Sequence, residues 1–195
     1  MSTRLPAARR RRQLLEVALR VFAEQGFYVT SMSDIAEAAG VTKPVLYQHF
    51  TSKRQLYGEL LAEVGSQIQE AITKAVASAN SPREQVERGF AAYFGFVDDH
   101  RDAFQLFYAS GSWRDEEFSA LTLQVENTIA EQVASLIQIE GLSPEQRRLL
   151  GHGIVGMIEG ASTHWLQSNA AADPEELTRQ LADLAWRGLR GVRPD

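Results

Sequence analysis

Residues 31–50 read SMSDIAEAAGVTKPVLYQHF, and the fold turns on this stretch. Ser31 is placed to N-cap a short helix, and Asp34 can reach back to it from three residues on, a variant of the capping box. Ile35, Ala36 and Ala39 give that helix an apolar face, and Gly40 supplies the backbone freedom that ends it. Val41 follows as an apolar plug. Thr42 can then cap a second helix over Lys43 to His49, with Pro44 in its first turn, where a missing N–H costs nothing. Two short helices joined by a Gly-containing turn make a helix-turn-helix, the unit that lays its second helix in a DNA major groove. That second helix offers Lys43, Tyr47, Gln48 and His49 to phosphates or base edges. Leu46 and Phe50 belong to its buried side.

Working outward, the run from about Arg9 to Leu61, with TSMSDIAEAAGVTKPVLYQHFTSKRQLYGELL at its heart, resembles the DNA-binding domain of the TetR family of transcriptional regulators. The resemblance rests on coupled sub-motifs: a Thr-Ser start, Ile-Ala, Ala-Gly-Val, Leu-Tyr-x-His-Phe, and a Ser-Lys pair opening the next helix. It covers roughly the first third of the chain, and the remainder matches only in length and helical pattern. It implies that Thr42, Lys43 and Pro44 enter the major groove, with Tyr47 and His49 mainly on phosphates and Gln48 on base or backbone. Thr30, Ser31 and Ser33 are further phosphate candidates. Pro44 departs from the small residue often found there, and its ring can pack against a thymine methyl.

The charge distribution agrees. Residues 1–60 carry nine Lys/Arg against five Asp/Glu, and residues 61–195 carry eleven against twenty, within an overall −5. A basic head on an acidic body suits a protein that meets DNA at one end. No cysteine is present, which excludes disulfides and thiolate zinc sites. No apolar run approaches the ~20 residues of a membrane span, and Glu16, Arg20 and Glu24 break any leader-like segment after Arg9–Arg12. A cytoplasmic protein without membrane association is expected.

Met1 to Ala8 shows no periodicity and reads as a disordered arm. Arg9–Arg12 lead into a helix with Leu14, Ala18, Val21 and Phe22 on one face, ending near Gly26. These arginines can lie along phosphates, enter a minor groove as homeodomain arms do, or form a solvated tail. Ser52, with Gln55 three residues on, opens a long helix to about Ser78, in which Leu56, Leu60, Val64, Ile68, Ile72 and Val76 recur every four residues. Its N-terminus, with Lys53, is a natural phosphate site. Ser81-Pro82, Ser143-Pro144 and Asp173-Pro174 open three more helices, the second running to about Asn169 and the third with Leu177, Leu181, Leu184 and Ala185 inward. A short helix near Asp102–Ala109 and a long one from about Asp115 to Ile139 complete an all-α chain. The expected division is a helix-turn-helix domain over 1–52 and a helical regulatory and dimerisation domain over 53–195.

Two features of the body bear on function. Gly151-His152-Gly153-Ile154-Val155-Gly156 fits the dinucleotide fingerprint G-x-G-x-x-G, but that motif needs a strand before it, and here the glycines fall inside a helix. Close helix packing is the better reading. In the TetR family the last two helices form a four-helix dimer interface, which makes Gly153, Gly156, Gly160, Trp165, Leu181, Leu184 and Trp186 the interface candidates. The second feature is aromatic. Phe90, Tyr93, Phe94, Phe104, Phe107, Tyr108 and Trp113 crowd the middle of the body, where ordinary core is the bland account of each. The family typically hollows this region into a ligand pocket, with Asn127 and Glu159 (besides His152 and His164) as polar anchors.

No G-x-S-x-G, H-E-x-x-H, Walker loop or cysteine nucleophile is present, so no catalytic residue, metal or cofactor is expected and the chain is read as a non-enzyme. The sequence thus points to a homodimeric repressor that binds a palindromic double-stranded operator and is released by a small apolar or amphipathic effector. An effector-independent DNA-binding protein, whose body serves dimerisation or a protein partner, is the alternative. A helical enzyme is the remaining one.

Overall fold

A computed structural model of the chain describes residues 6–108, 115–167 and 173–194. Among these it contains helices and no strand. In chain order they are α1 (Ala7–Gln25), α2 (Met32–Ala38), α3 (Lys43–Tyr47), α4 (Lys53–Ala77), α5 (Pro82–Asp99), α6 (Arg101–Tyr108), α7 (Glu116–Leu136), α8 (Pro144–Gln167) and α9 (Pro174–Gly191).

The caps are where local chemistry puts them. Ser31 Oγ accepts from the backbone N–H groups of Ser33 and Asp34, while the Asp34 carboxylate accepts from the Ser31 N–H at 2.7 Å. Both halves of a capping box are present. These bonds to the ionised form hold the Asp34 carboxyl below its ordinary pKa. Ser143 and Gln146 form a second reciprocal pair before α8. Ser81 and Asp173 cap α5 and α9. At α4, Ser52 Oγ accepts from the Gln55 N–H, but the Gln55 side chain returns to the Thr51 N–H instead of closing on Ser52.

The chain divides into two compact units that are not contiguous in sequence. One comprises residues 1–64 and 100–122, the other 65–99 and 123–195. The expected boundary after residue 52 falls inside the first of these units. The first half of α4, all of α6 and the start of α7 belong with the helix-turn-helix, because they supply its core. In that unit Tyr57 is fully buried and donates its hydroxyl to the Leu106 carbonyl at 2.8 Å. Its ring meets Phe22 edge-on at 5.1 Å between centroids, and lies 4.9 Å from Phe27 and 4.6 Å from Phe118. Aromatic pairs of this kind contribute about 0.5–1.5 kcal/mol each beyond area burial. Arg54 grips the start of α7: its guanidinium takes both oxygens of Asp115 (2.9 and 2.6 Å) and one of Glu117, and lies 4.9 Å from the Phe118 ring centre.

A correction concerns the N-terminus. Helix α1 begins at Ala7, so Arg9–Arg12 are its first turns and not an arm leading into it. Arginine is among the better helix formers, and Pro6 sits just ahead of the first turn. Arg10 donates to Gln13, Arg11 pairs with Glu59 across to α4, and Arg12 pairs with Glu16 one turn on.

In the second unit Phe90, Tyr93, Phe94 and Val97 form the buried side of α5, and Phe94 meets Trp165 of α8 edge-on at 6.4 Å. Two close approaches between helices are made by glycine. A Cβ on Gly65 would stand 2.5 Å from Val125 Cγ2, and one on Gly151 would stand 2.5 Å from the Ala130 carbonyl oxygen. Leu184, expected inward on α9, is 59% exposed, whereas Ala185 is buried as expected and Ala182 is buried as well. The expected continuation of α8 to Asn169 lies outside the described residues.

Candidate nucleic-acid interface

Helix α3 is short, and its inward side is fixed by Leu46, with Phe50 just beyond it; both are fully buried. That anchoring turns Thr42, Lys43, Pro44, Tyr47 and Gln48 to solvent, with His49 half-buried beside them. A rigid element carrying exposed polar side chains on one side and core residues on the other is what base reading in a groove requires. Thr42 stands at the N-cap with extended backbone (φ −79°, ψ 150°), yet its side chain makes no capping bond. The expected cap is therefore present in position and not in chemistry. Pro44 is part of the reason: it removes one of the N–H groups that a cap would satisfy. The Thr42 hydroxyl stays outside the α3 cap.

Ser31 and Ser33 are exposed at the start of α2. The Ser31 oxygen accepts two backbone bonds, but a hydroxyl that accepts still has its own proton to donate. Ser31 can therefore cap α2 and reach an anion at once. This helix start also carries the positive end of the helix dipole.

One expected phosphate contact is corrected, and a second has its cation turned toward backbone carbonyls. Thr30 is 1% exposed and its hydroxyl donates to the Gly26 carbonyl at 2.8 Å, so it closes the turn between α1 and α2. Lys53 folds inward: its ammonium donates to the carbonyls of Phe27 (2.7 Å) and Thr30 (2.8 Å) and lies 4.4 Å from the centre of the Phe27 ring. Partial burial pushes its pKa below the ordinary lysine value. The Thr30 bond closes within four residues, whereas nothing in the local sequence signalled the destination of Lys53, which depends on how Phe27–Thr30 packs against α4.

The candidate pocket residues are divided between the two compact units. Phe104 is buried in the first unit, whereas Phe90, Tyr93 and Phe94 are buried in the second. Trp113 and the side chains of Phe107 and Tyr108 lie outside the described residues. Glu159 is half-buried, but Asn127 is exposed, as are His152 and His164, so these three do not act as buried polar anchors. Sequence reading missed Glu126, a half-buried carboxyl on α7 whose pKa burial raises, against an opposing pull from His152.

Among the candidate interface residues, Gly153, Gly156 and Gly160 face open space on α8, with nothing within 4 Å of a Cβ added at any of them. Leu184 is exposed, and Leu181 and Trp186 are half-buried. Trp165 is a correction. It is 5% exposed and packed on Phe94 inside the unit, because a large ring beside an aromatic neighbour is better buried there. The fingerprint-like glycines lie within α8, which excludes the strand-turn-helix that a dinucleotide site needs.

A helix-turn-helix head joined to an α-helical body defines a DNA-binding regulator. Residues 14–60 match the family described as bacterial regulatory proteins, tetR family. Residues 82–188 match the tetracyclin repressor-like C-terminal domain. The transcriptional repressor KstR2 of Mycolicibacterium smegmatis is 35% identical over 195 residues, covering 96% of this chain and 94% of its own. The transcriptional activator FasR of the same organism is 28% identical over 190 residues, covering 97% and 87%. The fold is shared with the regulator FadR from Bacillus subtilis, solved in complex with stearoyl-CoA, at a TM-score of 0.79 and 18% identity, over 93% of this chain and 99% of that one. The chain belongs to the TetR family of transcriptional regulators. No helix among the described residues is long and apolar enough to cross a membrane.

Proposed function

We propose that this regulator is a homodimeric repressor that places α3 of each protomer in a major groove of a palindromic operator and is released by a small apolar or amphipathic effector. The observation that carries the reading is the outward side of α3. Thr42, Lys43, Pro44, Tyr47 and Gln48 are exposed together on a helix pinned by Leu46, with Ser31 and Ser33 exposed at the neighbouring helix start. Lys43 and Gln48 can read base edges, Pro44 can pack on a thymine methyl, and Tyr47, His49 and the serines can hold phosphates. Two-fold symmetry then requires two half-sites about one helical turn apart or slightly more.

The dimer reading is supported by the open glycines of α8 and by exposed Leu184, since such a surface lets a second helix approach closely. Repression is supported by the similarity to KstR2, and an activator role remains the competing sign because FasR is also similar. An acyl effector is supported by the fold shared with FadR and by the aromatic side of α5. Linkage requires that the effector bind more tightly to the conformation DNA disfavours, and that each weaken the other by the same factor. A second reading, without an effector, is favoured by the mutual packing of Phe90, Tyr93, Phe94 and Trp165.

The test is a gel-shift titration against DNA flanking the protein's own gene and against selected random DNA, at two salt concentrations. Tight, salt-sensitive, palindrome-dependent binding is expected, because counterion release makes log affinity fall linearly with log salt. Failure on both DNA sets would overturn the DNA reading. Release by stearoyl-CoA or shorter acyl-CoAs supports an acyl effector, and the absence of release favours the second reading.

A further inference from the structure

A lysine at the start of a helix near DNA invites assignment as a phosphate ligand, since its ammonium is a compact charge with three donors on a flexible stem. Here two of those donors are already spent. Lys53 Nζ lies 2.7 Å from the Phe27 carbonyl and 2.8 Å from the Thr30 carbonyl, the two ends of a turn that interrupts the helical ladder between α1 and α2. Backbone acceptors of such a turn need partners from elsewhere, and a charged donor makes a stronger bond than a neutral one. The Phe27 ring, 6% exposed, faces the ammonium at 4.4 Å and is itself wedged against Tyr57 and Phe118.

The turn is held from its other side as well. Gly26, in the left-handed region at φ 82°, accepts both the N–H and the hydroxyl of Thr30. Between the two anchors Tyr28 and Val29 are left exposed, at 59% and 77%. The next residue after Thr30 is Ser31, the cap of α2 and a candidate phosphate donor. Lys53 therefore fixes the backbone that aims Ser31 and the first turn of α2.

We propose that Lys53 is a positioning residue for DNA recognition, an internal strut from α4 to the Phe27–Thr30 turn that sets the entry of α2, and not a phosphate ligand. This rests on the DNA-binding reading above. Lys53→Met keeps the apolar stem and removes the three donors, and Lys53→Gln keeps two N–H donors on a shorter, uncharged amide.

The full-length protein and both variants are titrated with an operator chosen from random DNA, by fluorescence anisotropy across a salt series. Amide hydrogen exchange is measured on the same proteins without DNA. Both variants are expected to lose about fivefold or more in affinity, with an unchanged slope of log affinity against log salt. The amides of Ser33 and Asp34, which bond to the Ser31 hydroxyl, are expected to exchange about tenfold faster while those of α5 keep their protection. A slope smaller by about 0.9 for each ligand site lost would mark Lys53 as a phosphate contact and overturn the proposal. Unchanged affinity, or unchanged exchange at Ser33 and Asp34, would overturn it too. If Lys53→Met fails to fold, Lys53→Gln carries the same comparison. Wild-type protein without salt-dependent DNA binding would fell the DNA reading itself, and the exchange data would still decide whether Lys53 holds the start of α2.

Discussion

Glycines 151 and 156 share one helix and one apparent motif, but their surroundings predict opposite responses to a methyl group. At Gly151 a Cβ would lie 2.5 Å from the Ala130 carbonyl oxygen and 3.2 Å from both Ala134 Cβ and its backbone nitrogen. Backbone atoms of α7 cannot swing aside, so overpacking of about 1–3 kcal/mol applies. The gain of about 1 kcal/mol in helix propensity offsets only part of that. Gly151→Ala should therefore lower Tm by a few degrees, at about 2–4 °C per kcal/mol for a chain of this size. At Gly156 nothing lies within 4 Å, and within one protomer alanine should be favourable by about 1 kcal/mol. If a partner helix covers that face in the dimer, the sign reverses, and Gly156→Leu should raise the dimer dissociation constant tenfold or more, about 1.4 kcal/mol. Analytical ultracentrifugation gives the dissociation constant, and melting curves at several protein concentrations give the linked stability. A Gly156→Leu dimer of normal affinity would refute the placement of the interface. Gly156→Ala would then simply melt about 2–4 °C higher, as a solvent-facing glycine should.

Other perturbations address the head and the ionised groups. Tyr47→Ala removes a 45%-exposed ring from α3 and should weaken operator binding severalfold without changing Tm or the dimer; unchanged affinity in a gel shift would remove it from the interface. Asp115, bonded to Arg54, has its pKa held below its usual 3.8, so its contribution to stability is present above that value and lost as pH falls through the folded-state pKa. Asp115→Asn should lower Tm at pH 7 and flatten the acid limb below about pH 4, and a variant with the same acid limb as wild type would show that the pair contributes nothing. Glu126 runs the other way: burial raises its pKa above 4.5, so the neutral form suits its site and stability is lost as pH rises through the folded-state pKa. Glu126→Gln should match wild type in acid and melt higher at pH 7, and a lower melting point at pH 7 would mean that the charge is used.

What could be read in the sequence divides by the range of the interactions involved. A capping box closes within three residues, so Ser31 and Asp34, or Ser143 and Gln146, carry both partners in one short window. The helix-turn-helix is likewise contiguous. Its buried and exposed sides alternate on a pattern that Leu46, Phe50, Lys43 and Tyr47 spell out directly. Some departures are local, such as the Thr30 bond to Gly26 across four residues and the start of α1 at Ala7, but most involve long reach. Lys53 bonds to Thr30 across 23 residues, Tyr57 to Leu106 across 49, and Arg54 to Asp115 across 61. No periodicity encodes which distant carbonyl a lysine will choose, or that α6 will complete the core around Tyr57. That same core draws α6 and the start of α7 into one compact unit with the helix-turn-helix.

The glycines of α8 show the same division inside one motif. Spacing alone made Gly151, Gly153 and Gly156 equivalent, and only the approach of α7 separates the first from the others. An effector site differs from the DNA-reading side in this respect. Reading DNA needs one short helix turned outward, which composition and capping can specify. A pocket needs several helices whose contributions are far apart in the chain, and Asn127, a candidate anchor through the family resemblance, is turned to solvent by its position on α7. The identity of the operator-reading residues is therefore the stronger inference, and experiments on Lys43, Tyr47 and Lys53 should precede any search for the effector.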